Sequence, residues 1–416
     1  MSIQSEHYDC VVIGGGPAGS ATAALVAEAG YQTLLLERES VPRFHVGESL
    51  MPETYWCFER LGVLDKMKKS DYVQKASVQF VSSTGKESSP FFFEQHDPRE
   101  SSRTWQVERA EFDKMLFDNA AEKGAECVDQ ARVLRVLMEN GVASGVQVQQ
   151  AEGPPMEVTA RVVVDATGQQ ALVANQQGMR EDDQDLKKVA IWNYFRGAFR
   201  SPGEQGGSTI ILHTRDKDSW FWFIPLRDDI TSIGVVADRD YLVQERGSPE
   251  EVFAEELELC PVLANWLSNA EETDRFRVAK EFSYRTGQQA GEGWVLVGDA
   301  FGFIDPIYSS GVYFALQTGL LAADAIIEGL AGDDLSGRQL GCWIEEFESG
   351  SIWIRKLVDA YYSNEFSFGQ FLKEFPSHQG NLTDLLIGRI FYEGAGKIFD
   401  DMDPALEAAR NPGSME

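Results

Sequence analysis

Gly14-x-Gly16-x-x-Gly19 stands directly after the apolar run Cys10–Ile13, and Glu37 closes a second apolar run, Thr33–Leu36. Between them lies a small-residue, helix-forming stretch from Ser20 to Ala29. This strand–turn–helix–strand–acid frame is built for a dinucleotide. Gly14 makes the tight turn, Gly16 lets a pyrophosphate approach the backbone, and Gly19 lets helix and strand pack closely. The helix N-terminus then faces the phosphates, with Ala18 in its first turn, and Glu37 can accept hydrogen bonds from a ribose. Arg38 follows at once. The motif fits NAD as well as FAD, so residues further along must decide.

Two more turns belong to the same chemistry. Val158–Val164 is an apolar run ending in Asp165-Ala166-Thr167-Gly168, and Gly293–Ala300 ends in Gly298-Asp299. Open α/β sheets bind ligands at such carboxyl ends. Arg109, in the strand-to-helix turn after Trp105, is placed to reach phosphate or ribose. Lys75 lies in the alternating run Val73–Phe80, on one face with Val73, Ser77 and Gln79. By pattern alone it reads as an exposed strand lysine.

The elements that must hold these residues follow from periodicity. Met51–Lys69 is predicted as one helix, and Val133–Val148 as a hairpin turning at Asn140-Gly141. Ile191–Phe195, Thr209–His213, Trp220–Leu226 and Thr231–Val236 form an antiparallel sheet over one side of a cleft. Val312–Gly329 is a long helix, and an aromatic-rich helical tail follows. The fold class is α/β: a Rossmann-like dinucleotide-binding domain with an inserted antiparallel-sheet substrate domain and a C-terminal helical region. The expected division is 1–80, 105–185 and 285–330 for the nucleotide domain, 81–104 and 186–284 for the insert, and 331–416 for the tail. The last dozen residues are expected to fray.

Composition narrows the classes. The 416 residues are 43% hydrophobic, enough for a large core. The net charge of −29 argues against nucleic acid or an anionic membrane as a partner. Five scattered cysteines point to a reducing compartment, and none has metal-ligand spacing. The polar start MSIQSEHYD carries no secretory signal, and no apolar run reads as transmembrane, so the expectation is a cytoplasmic protein.

The glycine turn with Glu37, the D-A-T-G turn and Gly298-Asp299 together resemble the FAD-binding domain of the aromatic hydroxylase superfamily. That resemblance covers roughly residues 7–330 and selects FAD over NAD; it implies that Asp299 holds the ribitol chain. Trp220-x-Trp222-x-Ile224-Pro225 matches the W-x-W-x-I-P pattern of the flavin-dependent halogenases, and RFHVGES (Arg43–Ser49) and FIDPIYSSG (Phe303–Gly311) look like theirs. The resemblance implies that reduced FAD, O2 and chloride or bromide yield hypohalous acid. The acid passes along a tunnel lined by the tryptophan motif to a lysine, here Lys75. It also implies halide bound by the backbone N–H groups of Ser310 and Gly311, cofactor contact near Ser49, and electrons from a flavin reductase or free NAD(P)H. Tryptophan halogenases carry a glutamate where Tyr308 stands, so a phenol- or pyrrole-type substrate is expected. It is expected as a free molecule, because a charge of −29 repels an acidic carrier protein, Lys66, Lys68 and Lys69 make a thin docking surface, and the aromatic tail from Trp343 to Phe375 suits a small enclosed molecule. A monooxygenase or prenyl-type reductase on the same fold is an alternative, as is a non-catalytic flavoprotein.

Overall fold

The computed structural model describes residues 3–363 and 365–411. Its first layer is an eight-stranded sheet. Strands Glu126–Val128, Thr33–Leu36, His7–Ile13, Met156–Asp165 and Trp294–Leu296 run parallel in that order. Buried on both faces, they read as the continuous Val/Leu/Ile runs of a covered parallel sheet. The register matters for function. Ile13 pairs with both Leu36 and Asp165, and Asp165 pairs with Leu296. The strands therefore stop level, and the turns that follow them open on one edge. The chain order departs to both sides of His7–Ile13, which makes that edge the switch point where such sheets bind ligands. Helices Pro17–Glu28 and Gly311–Gly332 pack together against this sheet. The hairpin Ala131–Glu139/Val142–Gln150 turns at Asn140-Gly141, both at positive φ, as its sequence requires.

The second layer is a nine-stranded, mostly antiparallel sheet that begins earlier than the sequence suggests, with the long strand Arg180–Arg196. It also takes in two outlying segments. Ser77–Val81 pairs parallel with Thr209–His213, and Gly302–Phe303 pairs with Tyr284 and Arg285. The run Val73–Phe80 is accordingly not one strand. It breaks at Ala76, and Val73–Lys75 pairs instead with Thr104–Gln106 in a separate two-stranded ladder.

Two helix expectations change as well. Met51–Lys69 splits into Thr54–Leu61 and Leu64–Lys69, because Gly62 takes φ +73° and ends the first helix in a left-handed cap. Gly311–Gly332 is long and apolar enough to span a membrane by length and composition, contrary to the sequence reading. Its buried residues, from Val312 to Leu330, belong to the main core. The tail is helical as expected, and it stays helical to Arg410; residues 412–416 lie outside the described residues.

Candidate active site

A cavity of about 260 Å³ runs along the carboxyl edge of the parallel sheet and under the second sheet. Gly14, Gly16 and Ala18 line it near one end with Glu37 and Arg38, and Gly168 faces them. Gly298, Asp299 and Gly311 line it further on, below Trp220, Trp222 and Ile224. The glycines divide into two kinds. A Cβ on Gly14 would stand 2.3 Å from the Ala166 oxygen, and one on Gly19 would stand 2.0 Å from the Gly14 oxygen. These two are small for packing, and Gly19 does not line the cavity. A Cβ on Gly16 would meet nothing nearer than Arg43 Nη2 at 3.5 Å, and one on Gly311 nothing within 4 Å. They face open space, a cradle that a side chain would fill. A cavity lined by a glycine turn, an acid at a strand end and a helix N-terminus fits FAD.

The acidic and basic residues around the glycine turn are tied together. Glu37 Oε2 accepts from the Gly15 N–H at 2.9 Å and pairs with Arg43 Nε at 3.2 Å. Arg43 Nη1 reaches Asp113 at 2.8 Å. Arg109 grips Asp113 with two bonds, at 2.8 and 3.1 Å, and donates to the Val46 carbonyl at 2.8 Å. Burial raises the Asp113 pKa, but Arg109 and Arg43 outweigh it and hold the carboxyl below its ordinary value. Arg109 thus lines the cavity while also anchoring the Val46-Gly47 loop. Sequence reading passed over Asp113: Arg109 is its i,i+4 neighbour on helix Arg109–Glu122, but the second arginine, Arg43, is brought from a distant turn. Arg38 donates to Gln170 across the rim at 2.9 Å.

Asp165 does not line the cavity. Its Oδ1 accepts from the Thr167 N–H and hydroxyl, and its Oδ2 from the Val173 N–H at 2.7 Å. The carboxylate is used to shape the turn, and the turn then presents Gly168. Asp299 does face the cavity. Burial raises its pKa to about 6, against the pull of Arg109.

Lys75 is not an exposed strand lysine: only 1% of it is exposed. Its Nζ donates to Ser49 Oγ at 2.9 Å and to the Leu50 carbonyl at 2.8 Å. Ser49 Oγ meets Thr209 Oγ1 at 2.7 Å, and Gln106 Nε2 donates to Thr209 Oγ1 at 2.8 Å. Ser49 and Thr209 line the cavity; Lys75 stands one side chain behind them. No ion pair to Lys75 is found among the described residues, and burial lowers its pKa to about 7. Glu48, also buried and lining the cavity, accepts from Tyr194 at 2.7 Å, and burial raises its pKa. Sequence reading missed Glu48, Thr209 and Gln106.

The tryptophan strand Ser219–Pro225 is buried throughout. Trp222 Nε1 donates to Ser232 at 3.1 Å, and Gly234 leaves room for the ring, since a Cβ there would come within 2.3 Å of it. Pro225 ends the strand and does not reach the cavity. Ser310 caps helix Gly311–Gly332 and is buried; its N–H and that of Gly311 belong to the first turn, where no intrahelical acceptor exists. Ser310 lines a neighbouring cavity of about 560 Å³, which Gly311, Asp299 and Phe303 share with the first.

The sequence matches the FAD binding domain family over residues 7–337. It is 33% identical over 332 residues to a brominase of 1H-pyrrole-2-carbonyl peptidyl-carrier protein from Pseudoalteromonas luteoviolacea, covering 79% of each chain. It is 29% identical to the corresponding chlorinase of Pseudomonas fluorescens, covering 98% of this chain and 95% of that one. Among solved structures, the flavin-dependent brominase Bmp2 superposes with a TM-score of 0.87 at 29% identity, over 97% of this chain and 99% of the other. The myxobacterial chondrochloren halogenase CndH gives 0.79 at 30% identity, over 95% and 98%. With an FAD cradle, a W-x-W-x-I-P strand and a buried lysine beside it, the chain belongs to the flavin-dependent halogenases, FAD-binding oxidoreductases that use chloride or bromide.

Proposed function

We propose that the chain halogenates a pyrrole-type ring carried as an acyl group on a carrier protein, and that Lys75 delivers the halogen. The observation that carries the role of Lys75 is its burial without a counter-ion, one side chain behind the cavity wall. A lysine poised near neutrality exists in two useful forms. The ammonium can donate a hydrogen bond to hypohalous acid. The neutral amine can exchange N–H for N–halogen with release of water, and an electron-rich carbon then takes the halogen and returns the proton.

Bound reduced FAD, with O2, supplies the oxidising power that turns halide into hypohalous acid. The remaining roles belong to this chain's own residues. Gly14, Gly16, Ala18, Glu37 and Arg38 hold the nucleotide, with Gly168, Arg109 and Asp299. The N–H groups of Ser310 and Gly311 bind halide, because helix-start N–H groups suit an anion. Trp220, Trp222 and Ile224 line the passage towards Ser49 and Lys75. Electrons come from a flavin reductase or free NAD(P)H. We place the protein in the cytoplasm, in keeping with its five free cysteines, four of them buried.

The carrier-bound pyrrole is supported by the substrates named for the two pyrrole-halogenating relatives. A free phenol or pyrrole is the second reading, and one observation favours it. In the lysine cluster nearest Lys75, Lys66 pairs with Glu122 and Lys68 with Glu100, which leaves little free charge to dock an acidic carrier. The test is incubation with reduced FAD and bromide of pyrrole-2-carbonyl carrier protein, free pyrrole-2-carboxylate and free phenols, read by bromine isotope pattern. Bromine on the carrier-bound ring supports the proposal; bromine on free rings alone replaces it with the second reading.

A further inference from the structure

Helix Ile344–Tyr361, in the C-terminal region, ends against the tryptophan strand, and the next residue joins two parts of the site. Trp220 Nε1 donates to the Tyr362 oxygen at 3.0 Å, and the Tyr362 hydroxyl donates to Asp305 Oδ2 at 2.9 Å. The direction is fixed. An indole N–H can only donate, so the phenol oxygen accepts it, and the phenol proton is left for the carboxylate. Asp305 is fully buried, and its other oxygen accepts from the Ile307 N–H at 3.1 Å. Its own N–H donates to Ser283 Oγ at 3.2 Å. The carboxylate therefore sets the start of the turn Pro306–Tyr308, which runs through Ser309, at φ +62°, straight into Ser310 and Gly311. Lys188 Nζ lies 4.0 Å from the centre of the Tyr362 ring and is itself held by Asp238 at 2.7 Å.

We propose that Tyr362 is a positioning residue: it locks the Trp220 indole to the Asp305 turn and so holds the Ser310–Gly311 N–H pair in place for halide. The inference rests on the halide placement proposed above. Buried polar chains of this kind are unforgiving, since removing the middle member leaves a donor and an acceptor unmatched at once.

The test is bromination kinetics with bromide varied. Tyr362→Phe keeps the ring and removes both bonds. The expected result is a bromide KM raised at least about fivefold, with kcat at saturating bromide within about twofold and an unchanged KM for reduced FAD, alongside a lower Tm from the two unmatched buried groups. Trp220→Phe should raise the bromide KM similarly, and the double variant should be no worse than the poorer single, as coupled neighbours behave. An unchanged bromide KM in Tyr362→Phe, multiplying effects in the double variant, or a parallel rise in the KM values for bromide and reduced FAD would overturn it. Gly311→Val separates the two layers of argument. If it leaves the bromide KM unchanged, the halide placement itself fails. If it raises that KM while Tyr362→Phe does not, only the role of Tyr362 fails.

Discussion

At the scale of single residues, Lys75 is the costly choice. A lysine with no carboxylate partner and 1% exposure is retained against its own desolvation. Lys75→Ala should abolish halogenated product while reduced-FAD oxidation and peroxide release continue; mass spectrometry and a peroxide assay read the two arms. Product near the wild-type yield would remove Lys75 from the chemistry. The same burial has a sign in pH. The folded pKa of about 7 lies below the ordinary 10.5. Between those values the unfolded chain holds a proton that the folded chain does not, so stability rises with pH across that window and is flat from this group below it. Denaturation midpoints at pH 7 and pH 9.5 should therefore differ less in Lys75→Met than in the wild type; equal slopes would show that Lys75 is charged in the fold. Asp299→Ala should weaken FAD binding by about 1.5–3 kcal/mol, the range for a hydrogen bond to a charged group.

At the scale of elements, the glycine turn makes separable predictions. Gly16→Val adds its side chain to open cavity, so the protein should fold with the Tm of the flavin-free wild type yet emerge colourless, without FAD. Gly19→Ala drives a methyl into the Gly14 carbonyl and should lower Tm as well. A yellow, fully loaded Gly16→Val would contradict the placement of the pyrophosphate. This turn was legible in the sequence because its residues meet within one strand–helix–strand unit, and so was the Asn140-Gly141 hairpin. Lys75 was not. Alternation says which residues share a face, but not what covers that face; here Ser49 and Leu50 come from another segment, and Phe93 lies 5.9 Å from the ammonium. Asp165 misled for a related reason. A carboxylate at a strand end can serve a ligand or its own turn, and only the turn's backbone decides. The break at Ala76 sends the two halves of one alternating run into different sheets, a choice made by Thr104–Gln106 and Thr209–His213, both far along the chain.

At the scale of the whole molecule, the governing quantity is charge. A chain of −29 must receive a halide anion and, on the proposed reading, an acidic carrier protein. Uniform basic docking is not available. Besides the paired Lys66 and Lys68, Arg103 pairs with Glu94 and Glu204, and Arg227 is shared by Asp71, Glu108 and Glu111. Exposed pairs of this sort add little stability, but they do cancel the local field that would steer an anion. Like-charged partners repel each other over a distance set by salt, about 8 Å at physiological ionic strength and about 30 Å at 0.01 M. Association of this chain with an acidic carrier should therefore strengthen as salt rises from about 0.01 to 0.15 M, the reverse of a steered pair. The measurement is the KM for pyrrole-2-carbonyl carrier protein across that range at fixed saturating bromide, with free substrate as the control that salt alone does not alter turnover. A carrier KM that falls with salt while the control stays level fits repulsion between two acidic partners. A carrier KM that rises with salt would mean that an unpaired basic patch does the docking, against the charge distribution described here.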